Sequence, residues 1–269
     1  MAIRPFLKWA GGKRWLVDRP EFSIPAFSGR YIEPFLGGGA IYFSLLPRAS
    51  LLSDVNPKLI VTYQAIKEDW KSVVDRLEEH HDRHSKDYYY SQRGVEHQDV
   101  ASRAAHFLYL NRACWNGLYR ENLKGEFNVP IGTKSKIIFE NDNFKSVSEV
   151  LKSADIRCCD FEETISKARG GDAIFVDPPY TTAHNMNGFI KYNQKIFSWE
   201  DQVRLRDALV NAVDRGAKVV ATNAWHESVI DLYSGSATIV EVPRASVISG
   251  NNRGRKGTSE SLITMGVIE

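Results

Sequence analysis

The chain is poor in cysteine. It has three in 269 residues, with Cys158 and Cys159 adjacent and Cys114 isolated. Adjacent cysteines are ill placed for a disulfide, and the odd count excludes a disulfide scaffold. No CxxC and no Cys/His ligand spacing occurs, so no metal is expected. Reduced thiols suit a cytosolic protein. No apolar run is long enough to span a bilayer and no signal peptide precedes Phe6, so a membrane partner is not expected either. Net charge is scarce too. The 35 basic and 33 acidic side chains leave +2, and composition alone announces no nucleic-acid binder. Internal repeats and low-complexity tracts are missing, which excludes solenoids and fibrous arrays. The chain is long enough for one large domain, or for a core domain carrying a sizeable insertion.

What is present is alternation of strands and helices, interrupted once. "GRYIEPFLGGGAIYFSLL" reads as a short strand at Tyr31 and Ile32, a glycine turn and a helix from about Ala40. "ASLLSDVN" is a strand ending in an acid. Ile60, Tyr63, Ile66, Trp70, Val73, Val74 and Leu77 then recur at helical spacing, predicting an amphipathic helix or a helix pair. From about Lys86 to Asn143 the alternation is lost and the pattern turns aromatic, polar and basic. It returns with the strands "ADIRCCDF" and "DAIFVDPPY", a helix after Ser198 and Asp201 with a stop at Gly216, and the strands "AKVVATN", "ATIVEV" and "ESLITMGVI". The last two strands, read with no helix between them, predict an antiparallel hairpin at one sheet edge. The expected fold is α/β: a doubly wound, mostly parallel sheet with that edge hairpin and a mostly helical insertion. Residues 1–58 and 144–269 form the predicted core domain, and 59–143 the insertion.

Two stretches carry chemistry. In "EPFLGGGAIYF" three glycines sit where a strand turns into a helix, and a missing Cβ lets a ligand approach the backbone, although a plain tight turn uses glycine as well. Asp54 closes the next strand, where nucleotide-binding folds place an acid for ribose hydroxyls. No G-x-G-x-x-G follows, so a dinucleotide site fits poorly, and a ribose ligand without a phosphate, such as S-adenosylmethionine, fits better. In "GGDAIFVDPPY" the buried strand must stop at Asp177, because prolines cannot donate to a sheet ladder. An exocyclic amine such as adenine N6 is a poor nucleophile while its lone pair is delocalised into the ring. The Asp177 carboxylate and the Pro178 carbonyl can accept its two N–H bonds, and Tyr180 offers a face for the base. A turn aspartate before Pro-Pro is the plainer reading of that acid.

"FLKWAGGK", "EPFLGGG", "DVN", "NGLYR" with "GEFNVPIG", "CDF" and "DPPY" occur in the order seen in Dam-type DNA adenine-N6 methyltransferases, which the chain resembles over essentially its whole length. The resemblance implies a Rossmann-like methyltransferase fold, S-adenosylmethionine as donor and double-stranded DNA as substrate, with 59–143 as target-recognition domain. It implies transfer to N6 of a flipped adenine, with GATC as the family's commonest site. Trp9, Ala10 and Lys13 would lie along the methionine end of the donor. Phe35, Gly37 and Gly39 would wrap it, and Asp54 would take its ribose. Asp160 and the Phe161 N–H would read its adenine, beside Asp177. Taken singly, Lys13 is an ordinary surface lysine and Asp160 a helix cap.

The DNA-contacting set implied by the resemblance is Arg112, Trp115, Asn116, Leu118, Arg120, Lys124, Asn128, Pro130, Lys134 and Arg253. Arg120 would read a guanine edge, Leu118 and Pro130 a thymine methyl, and Trp115 would wedge into the duplex. Trp115 as a core aromatic is the alternative. The basic residues of this segment and of "NNRGRKGTSES" suit phosphates. Loop 181–197, with Phe189 and Tyr192, is expected to act as a lid over the flipped base. A monomer by default with a dimer possible on DNA, a cytoplasmic (nucleoid-associated or phage-encoded) location and a place in restriction-modification complete the expected picture. RNA adenine-N6 transfer, DNA cytosine-N4 transfer and a catalytically silent DNA-binding relative stay open at the level of sequence.

Overall fold

A computed structural model describes residues 3–122, 125–182, 197–244 and 258–267. Seven strands, β1 (Tyr31–Glu33), β2 (Ser50–Asp54), β3 (Ala154–Cys158), β4 (Ala173–Val176), β5 (Lys218–Ala224), β6 (Thr238–Arg244) and β7 (Thr258–Met265), form one mixed sheet in the order β3-β2-β1-β4-β5-β7-β6. β1 is parallel to β2 and β4, and β4 is parallel to β5. β7 runs antiparallel between β5 and β6, which makes the predicted edge hairpin. The α/β class and the mostly parallel sheet are as the alternation of the sequence predicts.

The chain divides into two compact units. The first comprises Met1–Trp15, Leu36–Arg48 and Ser53–Cys158; the second comprises Leu16–Phe35, Ala49–Leu52 and Cys159–Glu269. The segment 59–143 lies wholly within the first unit, together with the glycine turn and the N-terminal segment.

In the first unit the helices are α1 (Ala40–Leu45), α2 (Pro57–Asp82), α3 (Lys86–Gln92), α4 (Val100–Ala113) and α5 (Phe144–Leu151). Asn56 caps α2, with Pro57 in its first turn, where a missing N–H costs nothing. The backbone of α2 breaks at Asp69, and the Asp69 carboxylate accepts from the Ser72 N–H and hydroxyl at 3.2 and 2.6 Å, capping the second half. The helix-or-helix-pair expectation thus resolves into one element with an internal cap. Of its apolar stripe, Ile60, Tyr63, Ile66, Val73 and Leu77 are buried, and Trp70 and Val74 are half-buried.

In the second unit α6 (Phe161–Ile165), α7 (Trp199–Asp214) and α8 (Glu227–Tyr233) accompany β1, β4, β5, β6 and β7. Ser198 and Asp201 form the expected capping box at the start of α7, and Gly216, at φ +89°, follows its end. One core joins alternate strand residues (Ile32, Ile174, Val176, Val219, Ala221) to Leu205, Leu209 and Ala212 of α7. Helix α8 is absent from the sequence reading.

Candidate active site

In the first unit the glycine turn is closed by the protein's own rings. Gly37 and Gly39 have φ of +46° and +65°, where glycine alone is unstrained. A Cβ on Gly37 would stand 2.7 Å from Trp9 Cδ1, and one on Gly39 would stand 2.9 Å from the Tyr63 hydroxyl oxygen. That hydroxyl donates to the Gly37 carbonyl at 3.1 Å. The space that a side chain at these two positions would need is therefore taken by Trp9 and Tyr63. The Trp9 ring in turn lies nearly parallel to Tyr119, 6.3 Å away.

The turn delivers an N–H to the acid at the end of β2. Gly37 N–H reaches Asp54 Oδ2 at 3.0 Å, and Asn56 N–H reaches Oδ1 at 3.0 Å. Burial raises the Asp54 pKa, and these backbone donors pull it back. A carboxylate offers about four acceptor positions, so a rigidly held Asp54 can still accept vicinal hydroxyls. Lys13 is no surface lysine: its ammonium is buried and donates to the Gly11 carbonyl at 2.8 Å. Ala10 beside it is exposed.

In the second unit Phe35, two residues past β1, stacks on Phe161 with centroids 5.4 Å apart and meets Phe197 edge-on. Asp160 is the N-cap of α6. Its Oδ1 accepts from Glu162 N–H at 2.9 Å and from Arg204 at 3.0 Å, and Arg204 also lies 4.8 Å over the Phe161 ring. The helix-cap reading of Asp160 is thus correct, and both contacts fall on one oxygen.

Asp177 follows β4, which pairs with β1 on one side and β5 on the other. Thr222 of β5 donates its hydroxyl to Asp177 Oδ1 at 2.8 Å. Buried Gln202 of α7, held by Asn223, reaches the Pro179 carbonyl at 3.4 Å. The Tyr180 hydroxyl donates to Glu260 Oε2 at 2.7 Å. Burial first, then the charges of Asp177 and Glu260, push the Tyr180 pKa well above its ordinary value, so the phenol stays protonated. Thr222 and Glu260 went unnoticed in the sequence. Their only signal is polar side chains inside strands that otherwise read as buried.

Residues 114–122 and 125–131 of the first unit run antiparallel to each other. Cys114 bridges Ile131, Glu121 bridges Phe127, and Trp115 N–H donates to the Pro130 carbonyl at 2.9 Å. Trp115 is 50% and Leu118 40% exposed, with Asn116, Arg120 and Pro130 also on the surface, so Trp115 is no core aromatic. Arg120 Nε donates to Asn128 Oδ1 at 3.0 Å. Lys134 lies 4.5 Å over the Phe139 ring, and burial lowers its pKa. Arg112 departs from the expectation of a phosphate contact. Its guanidinium is buried, paired to Asp142 at 2.5 and 2.9 Å, and bonded to the Phe6 and Ile137 carbonyls. Lys124, Arg253 and the proposed lid residues Phe189 and Tyr192 lie outside the described residues. Among the described residues no group of His, Cys, Asp or Glu is arranged for a metal, and no helix is long and apolar enough to cross a membrane.

Residues 9–248 match D12 class N6 adenine-specific DNA methyltransferases. The type II methyltransferase M1.LlaDCHI of Lactococcus lactis subsp. cremoris is 34% identical over 263 residues, covering 94% of this chain and 93% of its own. The type II methyltransferase M.MjaIII of Methanocaldococcus jannaschii is 34% identical over 286 residues, covering 98% and 99%. The DNA adenine methylase of Escherichia coli K12 is 32% identical over 266 residues, covering 96% and 94%.

Proposed function

The chain belongs to the D12 class N6 adenine-specific DNA methyltransferases, and we propose that it moves the methyl group of S-adenosylmethionine to N6 of an adenine flipped out of duplex DNA, within GATC. The observation that carries the reading is the fixed DPPY segment: an acid at the end of β4, clamped by Thr222, two residues before Pro179 and three before an anchored phenol. When bound, the donor supplies an electrophilic methyl on sulfur. Asp177 and the Pro178 carbonyl accept the two amine N–H bonds, which favours a lone pair turned out of the ring plane. Tyr180 keeps its hydroxyl proton and offers the base its ring, a contact worth about 1–3 kcal/mol.

The polar set suits that donor. Within the first unit a buried ammonium (Lys13) is of the kind that holds a carboxylate, and Asp54 has acceptor positions for ribose hydroxyls; within the second unit the Asp160 N-cap and the Phe35–Phe161 stack are of the kind that suit a purine. The exposed group Trp115, Asn116, Leu118, Arg120 and Pro130 supports reading of the target sequence, with Arg120 on guanine and Trp115 replacing the lost stacking. Unstacking a base costs a few kcal/mol, and an inserted ring offsets part of it.

Incubating the protein with methyl-labelled donor and unmethylated duplex DNA, followed by nucleoside digestion, tests the chemistry. The expected product is N6-methyladenine, lost in Asp177→Ala while donor binding persists. An Asp177→Ala protein that still transfers methyl overturns the mechanism.

A further inference from the structure

Thr222 and Glu260 hold the side chains of Asp177 and Tyr180, Arg244 holds Glu260, and the antiparallel register brings these three together. Thr222 opposes Leu262, Ala224 opposes Glu260, and Glu260 also opposes Val242. Opposed residues share a sheet face, and the period of two carries that face to Thr222 on β5 and Arg244 on β6. Thr222 is buried, and its hydroxyl has one proton to give. Asp177 Oδ1 lies at 2.8 Å and the Val176 carbonyl at 3.5 Å, so the carboxylate receives it. Glu260, 5% exposed, takes the Tyr180 hydroxyl on Oε2 and Arg244 Nη1 on Oε1, the latter at 2.6 Å.

We propose that Thr222, Glu260 and Arg244 are positioning residues for methyl transfer, Thr222 fixing the Asp177 carboxylate and the Glu260–Arg244 pair fixing the Tyr180 ring. The inference rests on the reading of Asp177 and Tyr180 as catalytic. A carboxylate turns easily about its last torsion, because that well is broad. A donor fixed on Oδ1 removes the freedom and sets where the plane of the carboxylate faces. Tyr180 has rotational freedom of its own. The bond from its hydroxyl to a strand residue anchors the far end of the ring, so the face offered to the base does not swing. Arg244 Nη1 holds the other oxygen of Glu260, so the carboxylate that receives the Tyr180 hydroxyl is itself fixed in place. Positioning of this kind matters because a misplacement of about 1 Å costs on the order of 100-fold in rate.

Methyl transfer to unmethylated plasmid DNA, with kcat, KM and donor affinity measured for each variant, tests this. Thr222→Val keeps the shape and removes the hydroxyl. It should lower kcat about 10- to 100-fold, the worth of one hydrogen bond to a charged group, with donor affinity unchanged. Thr222→Ser should restore most of the rate. If Thr222→Val does not fold, Thr222→Ala carries the same expectation. Glu260→Gln should lower kcat, and combined with Tyr180→Phe it should cost no more than Tyr180→Phe alone, because Glu260 acts through that hydroxyl. Wild-type kcat in Thr222→Val, equal impairment of Thr222→Ser and Thr222→Val, or multiplying effects of Glu260→Gln and Tyr180→Phe would each overturn the assignment. Asp177→Ala in the same assay separates the two levels. If it is inactive while Thr222→Val is fully active, the catalytic reading stands and the positioning role falls. If Asp177→Ala transfers methyl, the catalytic reading itself falls.

Discussion

Arg112 and Arg120 lie on neighbouring stretches of the first unit, and their surroundings decide what each does. Arg112 is enclosed: Asp142 takes two of its N–H groups, the Phe6 and Ile137 carbonyls take others, and the Phe139 and Phe144 rings lie 4.9 and 5.2 Å from its guanidinium carbon. Removing one member of a buried pair strands the other charge, which costs about 3–5 kcal/mol. Arg112→Met should therefore lower the urea midpoint by an amount equivalent to that loss. Arg120 is exposed, with its Nε on Asn128, and an exposed contact of this kind adds little to folding. Arg120→Ala should leave the urea midpoint in place and relax the sequence preference of methylation. Equal midpoints for Arg112→Met and the parent chain, or an unchanged target profile for Arg120→Ala, would contradict these assignments. The sequence shows two basic residues and no difference between them. The partner that buries Arg112 is thirty positions away, beyond the reach of local pattern.

At the scale of elements, the packing of α2 against α4 carries a pH dependence. His80 of α2 is 6% exposed, its Nδ1 is 2.8 Å from the Tyr88 hydroxyl of α3, and its ring stacks on Tyr109 of α4 with centroids 4.8 Å apart. His97 and His106 lie beside it, with Glu79 on its own helix and Arg83 capping that helix's end. Burial, then the charges of His106 and His97, lower the His80 pKa from 6.5 to about 4. The unfolded chain binds a proton below about pH 6.5, whereas folded His80 resists until about pH 4, so stability is lost as pH falls through that window. The full loss is about 3 kcal/mol from this group, and His106, also lowered by burial, acts in the same direction. Urea midpoints at pH 7.5 and pH 5 should differ, and His80→Gln should narrow the gap. Equal midpoints in the parent chain would contradict the account.

Elements were legible in the sequence where one local signal was strong. β4 and β5 are apolar runs bounded by glycine, proline or asparagine, and α7 has Ser198 and Asp201 at its start. Helix α8 was not, because it spans two turns and its cap is a histidine, His226, whose Nδ1 accepts from Ser228 N–H at 3.2 Å. The active-site reading follows the same division. Asp177 and Tyr180 stand in one contiguous motif. Thr222, Arg244 and Glu260 are spread along the last third of the chain and meet only through the β5-β7-β6 register, which depends on where the hairpin folds back.

At the scale of the whole molecule, the chain carries a mixed sheet with carboxylates at strand ends and an exposed loop that presents Trp115, Leu118 and Arg120, and it belongs to a family of adenine-specific enzymes. The order of motifs along the chain made the class legible before any coordinate. The rings of Trp9 and Tyr63 that fill the side-chain space at the glycine turn come from remote stretches, beyond the reach of local pattern. The measurement that tests the central claim most directly is modification-sensitive sequencing of an unmethylated plasmid incubated with the protein and S-adenosylmethionine. The account predicts N6-methyladenine, confined to GATC. N6-methyladenine at another sequence would contradict the reading of the loop and leave the chemistry intact. A plasmid with no methyladenine, from a protein that binds the donor, would contradict the account itself.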